Sequence, residues 1–130
     1  MTNSLLITKY IRTILSQNAY LMKKIPIKRF FPIEVKQGTK FPFAVISRTG
    51  MIDTQSKDGI YEDTVTVSII VVDDNYYGSL EIANEIRNWL EGHSYKDETI
   101  NITRMKLNSA SEGYYNDAFV EELIFTITIN

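Results

Sequence analysis

From Leu5 to Leu15, apolar residues recur every three or four positions: Leu6, Tyr10 and Ile14 in one row, Leu5, Ile11 and Leu15 in another. That period lays a wide apolar stripe along one side of a helix, with Lys9, Arg12 and Thr13 mostly off it. A first helix is expected from Ser4 to Gln17, capped by Asn3 or Ser4, with Asn18 suited to its end. In "AYLMKKIPIKRFFPIEV", Pro26 and Pro32 exclude a long helix. The runs Ile27 to Phe31 and Ile33 to Val35 then read as an extended edge segment. "KQGTK" is a turn, and "FPFAVISRTG" is a strand beginning at Phe41 or Phe43. Asp58-Gly59 predicts a hairpin turn, and its flanking strands could make a long protruding arm. In "TVTVSIIVVDD", Val65, Val67 and Ile69 share a face, and the continuous run Ile69 to Val72 suits a central strand.

"NYYGSLEIANEIRNWLEGH" carries a second helical stripe of Leu80, Ala83, Ile86 and Leu90, with Ile82 and Trp89. Ser79 is the expected N-cap, Gly92 fits just past the C-terminus, and "SYKDE" links out. In "TINITRMKLNSAS" the apolar phase slips between Ile102 and Met105, so a bulge near Thr103 or Arg104 is needed to keep one apolar face. "EGYYND" turns into "AFVEELIFTITIN", where Phe119, Glu121, Leu123, Phe125, Ile127 and Ile129 share a face. The order α-β-β-β-α-β-β predicts an α+β fold. The expected architecture is one domain over residues 1–130: a mostly antiparallel sheet of four to five strands with two helices on one face.

The chain's 130 residues and 44% apolar content are those of a globular domain with a real core. No apolar run is long enough for a membrane-spanning helix. The N-terminus lacks a signal peptide's order of features and reads as an amphipathic helix in a protein made in the cytosol. With no cysteine there is no disulfide framework, thiolate metal site or cysteine nucleophile, which fits a reducing compartment.

The net charge of −2 hides a division. Residues 1–52 hold nine Lys or Arg against Glu34 alone, a net +8; residues 53–130 hold five against fifteen acids, a net −10. Three arrangements account for it. The halves can complement each other within one domain. The basic side of one copy can meet the acidic side of the next, head to tail. Or the basic patch, centred on Lys23, Lys24, Lys28, Arg29 and Lys36, can touch nucleic acid nonspecifically.

Little in the chain suggests catalysis. His93 is the sole histidine and follows the helix-ending Gly92, a structural position. The adjacent acids Asp73-Asp74, Asp97-Glu98 and Glu121-Glu122 would point to opposite faces of a strand and so form no paired site. Asp73-Asp74 precedes tyrosines and not a recognisable metal loop. No phosphate-binding glycine motif appears, and Ser47, Ser109 and Ser111 lack a nucleophile-elbow context. No catalytic, metal or cofactor residue is assigned, and an enzyme is not expected. Two aromatic turns remain: Tyr76-Tyr77 and Tyr114-Tyr115. One tyrosine of each can tuck into the core, or the pairs can form contacts. Base stacking is disfavoured because both lie in the acidic half, which repels phosphate.

The layout as a whole resembles a known family. A helix, a proline-broken basic segment, the Pro-aromatic strand start "FPFAVI", a long polar hairpin, the helix "SLEIANEIRNWLEG" and the acid-flanked strand "DAFVEELIFTITI" are similar to the small tail-completion, or tail-terminator, proteins of phages and prophages. The resemblance covers roughly Leu5 to Ile129 and has no diagnostic residue, so no site is carried over. It implies a structural protein of the virion tail, made in the bacterial host cytoplasm. Such a protein assembles with itself into a ring, usually a hexamer. It caps the tail tube, joins it to the head connector and passes DNA through its lumen without reading sequence, with no membrane partner. On that reading the hairpin residues Asp53, Lys57, Asp58 and Tyr61, with Tyr76, Tyr77, Tyr114 and Tyr115, are candidate contacts to another subunit or the tube. The alternatives are a head–tail connector or adaptor, and a host cytosolic module binding nucleic acid or a ligand.

Overall fold

The computed structural model describes residues 3–55 and 61–130. Three helices, α1 (Ile7–Ser16), α2 (Ala19–Lys24) and α3 (Tyr76–Glu91), accompany six strands. The strands are β1 (Phe30–Pro32), β2 (Phe43–Gln55), β3 (Tyr61–Asp73), β4 (Tyr95–Lys96), β5 (Asn101–Tyr115) and β6 (Ala118–Ile129). They form one sheet in the order β1-β2-β3-β6-β5-β4. β1 runs parallel to β2, while the other pairs are antiparallel. The expected antiparallel sheet of four to five strands with two helices is therefore wrong: the fold is a mixed six-stranded sheet, curled into a half-barrel, with three helices.

Each departure has a local cause. Asn18 was assigned to the end of one helix, but it also begins the next: its side chain accepts from the Leu21 N–H (3.0 Å) and its Nδ2 donates to Glu85 on α3 (3.0 Å). This cap lets six residues before Pro26 form α2, a short helix that the sequence reading did not assign. Asn18→Ala is expected to cost about 1 kcal/mol or somewhat more, since the buried cap also ties α2 to α3; urea unfolding measures it. Residues 33–42 then carry the chain back along β1, making β2 its parallel neighbour instead of a hairpin partner. Gly38 turns within that return at φ 83°. Ile33, at φ 64°, is the centre of a γ-turn closed by the Glu34 N–H donating to the Pro32 carbonyl (2.6 Å). β4 is missed because two residues carry no readable period.

The helix termini also differ from expectation. Asn3 and Ser4 do not cap α1; they serve tertiary contacts, Asn3 Nδ2 donating to the Thr99 carbonyl (2.6 Å) and Ser4 Oγ to Asp63 (2.5 Å). α3 begins at Tyr76, three residues before the predicted cap Ser79, because the Asn75 side chain accepts from the Gly78 N–H (2.9 Å). Gly92 is the C-cap itself, with right-handed φ −84°.

The core lies between the sheet and the helices. Val65, Val67, Ile69 and Val71 of β3 and Leu123, Phe125, Ile127 and Ile129 of β6 meet Ile11, Ile14, Leu15, Ile82, Ile86 and Leu90. Trp89 Nε1 donates to the Ile14 carbonyl (2.8 Å), fastening α3 to α1. The anticipated bulge is present: the β5–β6 register shifts between Ile102 and Arg104, and again between Leu107 and Ser109. Both Ile102 and Met105 are buried as a result. With a third shift between Arg48 and Gly50, these bulges add the local bending that curls a sheet. β2 starts at Phe43, after a cis Phe41–Pro42 bond, and Phe41 stacks on Phe43 with ring centroids 5.7 Å apart. The opposite face of the sheet carries Thr64, Thr66, Thr126 and Thr128, side by side across β3 and β6.

Candidate assembly surface

The last two strands meet at Asn116 and Asp117, whose φ values of 50° and 63° make a two-residue turn of the kind that continues strand twist. Counting outward from it, the register sets Tyr114 opposite Phe119 and Glu112 opposite Glu121. Residues on that face point toward the N-terminus of α3, where Tyr76 is waiting. Tyr76 and Tyr114 pack on Phe119 at centroid distances of 5.4 and 4.9 Å. The Tyr76 hydroxyl donates to the Glu112 carboxylate at 3.0 and 3.1 Å. Together Tyr76, Glu112, Tyr114, Phe119 and Glu121 line an open cavity of about 270 Å³.

This site is electrostatically strained. Like charges opposite each other on neighbouring strands repel. Glu121 is only 7% exposed, and its buried Oε1 has no hydrogen-bond partner. Burial first, then a side-chain hydrogen bond with Glu112 that favours the protonated acid, and last the Glu112 charge, push its pKa up to about 7. Glu122, one residue on, turns to the other face and accepts from Ser68 Oγ (3.1 Å). Glu121 and Glu122 are thus separated as expected, whereas Asp73 and Asp74 interact through their side chains; the cross-strand pair Glu112–Glu121 is the one the sequence reading missed.

The four tyrosines divide. Tyr76 and Tyr114 share this cavity; Tyr77 leans on Tyr76 (5.5 Å) but is mostly exposed. Tyr115 lies on the opposite face, lining an apolar groove of about 320 Å³ with Phe41, Phe43, Val72 and Val120. Of the hairpin candidates, Asp53 is exposed and pairs across the ladder with Asp63, which is buried. Tyr61 opens β3 opposite Gln55; Lys57 and Asp58, with the predicted Asp58-Gly59 turn, lie outside the described residues. β6 accompanies the hairpin as far as Asp63, so among the described residues of β3 only Tyr61 and Glu62 run past it.

The basic candidates gather at the other side of the sheet. Lys28 and Arg29 precede β1 and Lys36 follows it, while Lys23 and Lys24 end α2. Arg29 Nη2 reaches the Lys24 carbonyl (3.5 Å). Lys23 and Lys24 also line a depression with Asp73, Tyr77 and Glu81, so the two charged halves approach each other within the chain. They do not neutralise each other there: among the described residues the ion pair is Arg87–Glu91, one turn apart on α3 (2.9 Å).

The remaining titratable candidates make local contacts. His93 Nδ1 lies 2.5 Å from the Trp89 carbonyl, and its ring packs on Trp89 at 4.2 Å. Asp73 is buried against the first turn of α3, where a Cβ on Gly78 would overlap its carboxylate; burial, then Asp74, raise its pKa. Among the described residues, no three His, Cys, Asp or Glu side chains are placed to hold a metal ion, and no helix is long and apolar enough to cross a membrane.

No protein-family model and no curated protein matches the chain. Among solved structures, it is similar to a chain in the virion of a native gene transfer agent (GTA) particle. The TM-score is 0.69 at 15% sequence identity, over 92% of this chain and 90% of that one. The likeness is therefore one of fold, end to end: this chain has the architecture of a component of that virion.

Proposed function

We propose that this chain is a structural, non-enzymatic protein of a phage-like virion, and within it the tail terminator. It forms a ring, a hexamer on this reading, that caps the tail tube and meets the head connector while DNA passes through the lumen. The observation that carries the reading is the match to a virion component across nine-tenths of both chains. The charge division adds support, because a closed ring joins two different patches of each subunit.

Negative-stain microscopy of the purified protein, alone and with its tail-tube protein, tests this. Sixfold rings are expected, seated on one end of tubes whose growth they arrest. Protein that ignores tubes and binds only the connector side would replace this reading with the connector alternative. Protein that binds neither would end both.

A further inference from the structure

We propose that the cavity between the start of α3 and the β5–β6 hairpin receives the ammonium group of a lysine from the basic edge of a second copy of this chain. The inference rests on the ring reading and names its joint.

The cavity suits an organic cation. Its walls are the rings of Tyr76, Tyr114 and Phe119, and its acids are Glu112 and Glu121. Aromatic faces attract cations, more strongly where water is excluded. Glu121 supplies the specific demand. A buried carboxylate oxygen without a partner is costly, and an incoming N–H donor relieves it. That donor would also offset the repulsion between Glu121 and Glu112, which face each other across the ladder. The Tyr76 hydroxyl satisfies Glu112 from one side only, which leaves the mouth open. A lysine suits such walls: its four-carbon stem can lie on the rings while its ammonium meets the carboxylates.

The occupant follows from charge and topology. In the order β1-β2-β3-β6-β5-β4, β1 is the outer strand on one side, and β4 pairs only with Asn101 and Ile102 on the other. The rest of β5, including Glu112, has no strand beside it on that side among the described residues, although the Leu107 N–H donates to Glu91 of α3. Lys28 and Lys36 flank β1, and Lys23 and Lys24 end the helix before it; all four are exposed and none forms an ion pair among the described residues. An acidic cavity on one edge and unpaired lysines at the other are the two unlike halves of a head-to-tail contact. Desolvated charge pairs at such contacts control dissociation.

The test uses two full-length variants with exposed substitutions: Glu112→Gln, and the quadruple Lys23→Gln/Lys24→Gln/Lys28→Gln/Lys36→Gln. Sedimentation velocity at low salt reads self-association, and circular dichroism verifies folding. Wild-type protein is expected to associate, and each variant to associate roughly thirtyfold more weakly. An equimolar mixture of the two should form a 1:1 heterodimer and stop there, because only one intact joint remains. In parallel, n-butylammonium chloride, with n-butanol as the neutral control, should shift the ring resonances of Tyr76, Tyr114 and Phe119. Wild-type association that Glu112→Gln leaves unchanged would overturn this joint and leave the ring reading standing. So would variants that fail to complement, or rings that ignore butylammonium. A wild type that remains monomeric here and shows no rings with the tail tube would overturn both.

Discussion

Phe125→Ala is expected to remove about 3–5 kcal/mol of stability, the range for deleting a fully enclosed aromatic side chain. Phe125 is 0% exposed at the middle of β6, between Val67 of β3 and Leu107 of β5, and belongs to the cluster roofed by α1 and α3. The loss combines the transfer of the ring to water with the cavity left beneath the helices. Domains of this size have about 5–15 kcal/mol in total, so the variant should unfold at a much lower urea concentration, or fail to fold at 37 °C. Phe41→Ala is the contrast. Phe41 is 39% exposed on the far face, and its loss should cost about 1 kcal/mol or less. Equal effects at the two positions would mean that the core is not where these strands place it.

Glu121→Gln should reverse the usual expectation for removing a native charge: it stabilises the monomer at alkaline pH. The Glu121 pKa rises from an ordinary 4.5 to about 7 on folding. The folded state therefore holds the proton more tightly than the unfolded state does. The stabilising contribution of that proton is complete below about pH 4.5, fades as pH rises through 7, and is absent above it. Each pKa unit is worth about 1.4 kcal/mol; water at the open cavity mouth reduces the whole effect to about 2 kcal/mol. Glutamine mimics the protonated acid at every pH. Urea unfolding at pH 4.5, 6 and 8, in salt that keeps the protein monomeric, should give similar stabilities at the acid end and a growing advantage for glutamine above. Asp73, also raised by burial, contributes a slope of the same sign to both proteins and cancels. Parallel profiles would show that Glu121 is not protonated in the folded state.

This pH dependence bears on the proposed joint. A lysine entering the cavity favours ionised Glu121, as a neighbouring opposite charge does. Glu112 on β5 and the Tyr76 and Tyr114 hydroxyls are the other titratable groups facing it. The monomer then loses stability near neutral pH at the group through which assembly gains it. A carboxylate held in a half-satisfied state in the free chain is a reason to associate.

How much of this was legible beforehand depends on the range of the interaction concerned. Periodicity along the chain placed α1, the helical stripe of α3, the inward row of β6 including Glu121, and the bulge after Ile102, because alternation and 3.6-residue repeats are set by neighbours a few positions away. The charge division was equally visible, being a property of composition. Capping was ambiguous: Asn18 is held in its position by a tertiary bond to Glu85 and Asn75 caps α3 through the local Gly78 N–H, while Ser79, an equally good cap by type, became buried, its hydroxyl donating to the Tyr76 carbonyl. An extended edge segment around Phe30 was legible, but its parallel pairing was not, since three residues carry no period and their partner lies beyond a ten-residue return. The turn at Asn116-Asp117 was within reach, and counting from it would have paired Glu112 with Glu121. Local pattern thus determined which residues face inward and where the charge lies. The fold decided what Tyr76, 36 positions from Glu112, would meet, because strand register and the docking of α3 depend on the packing of the whole core.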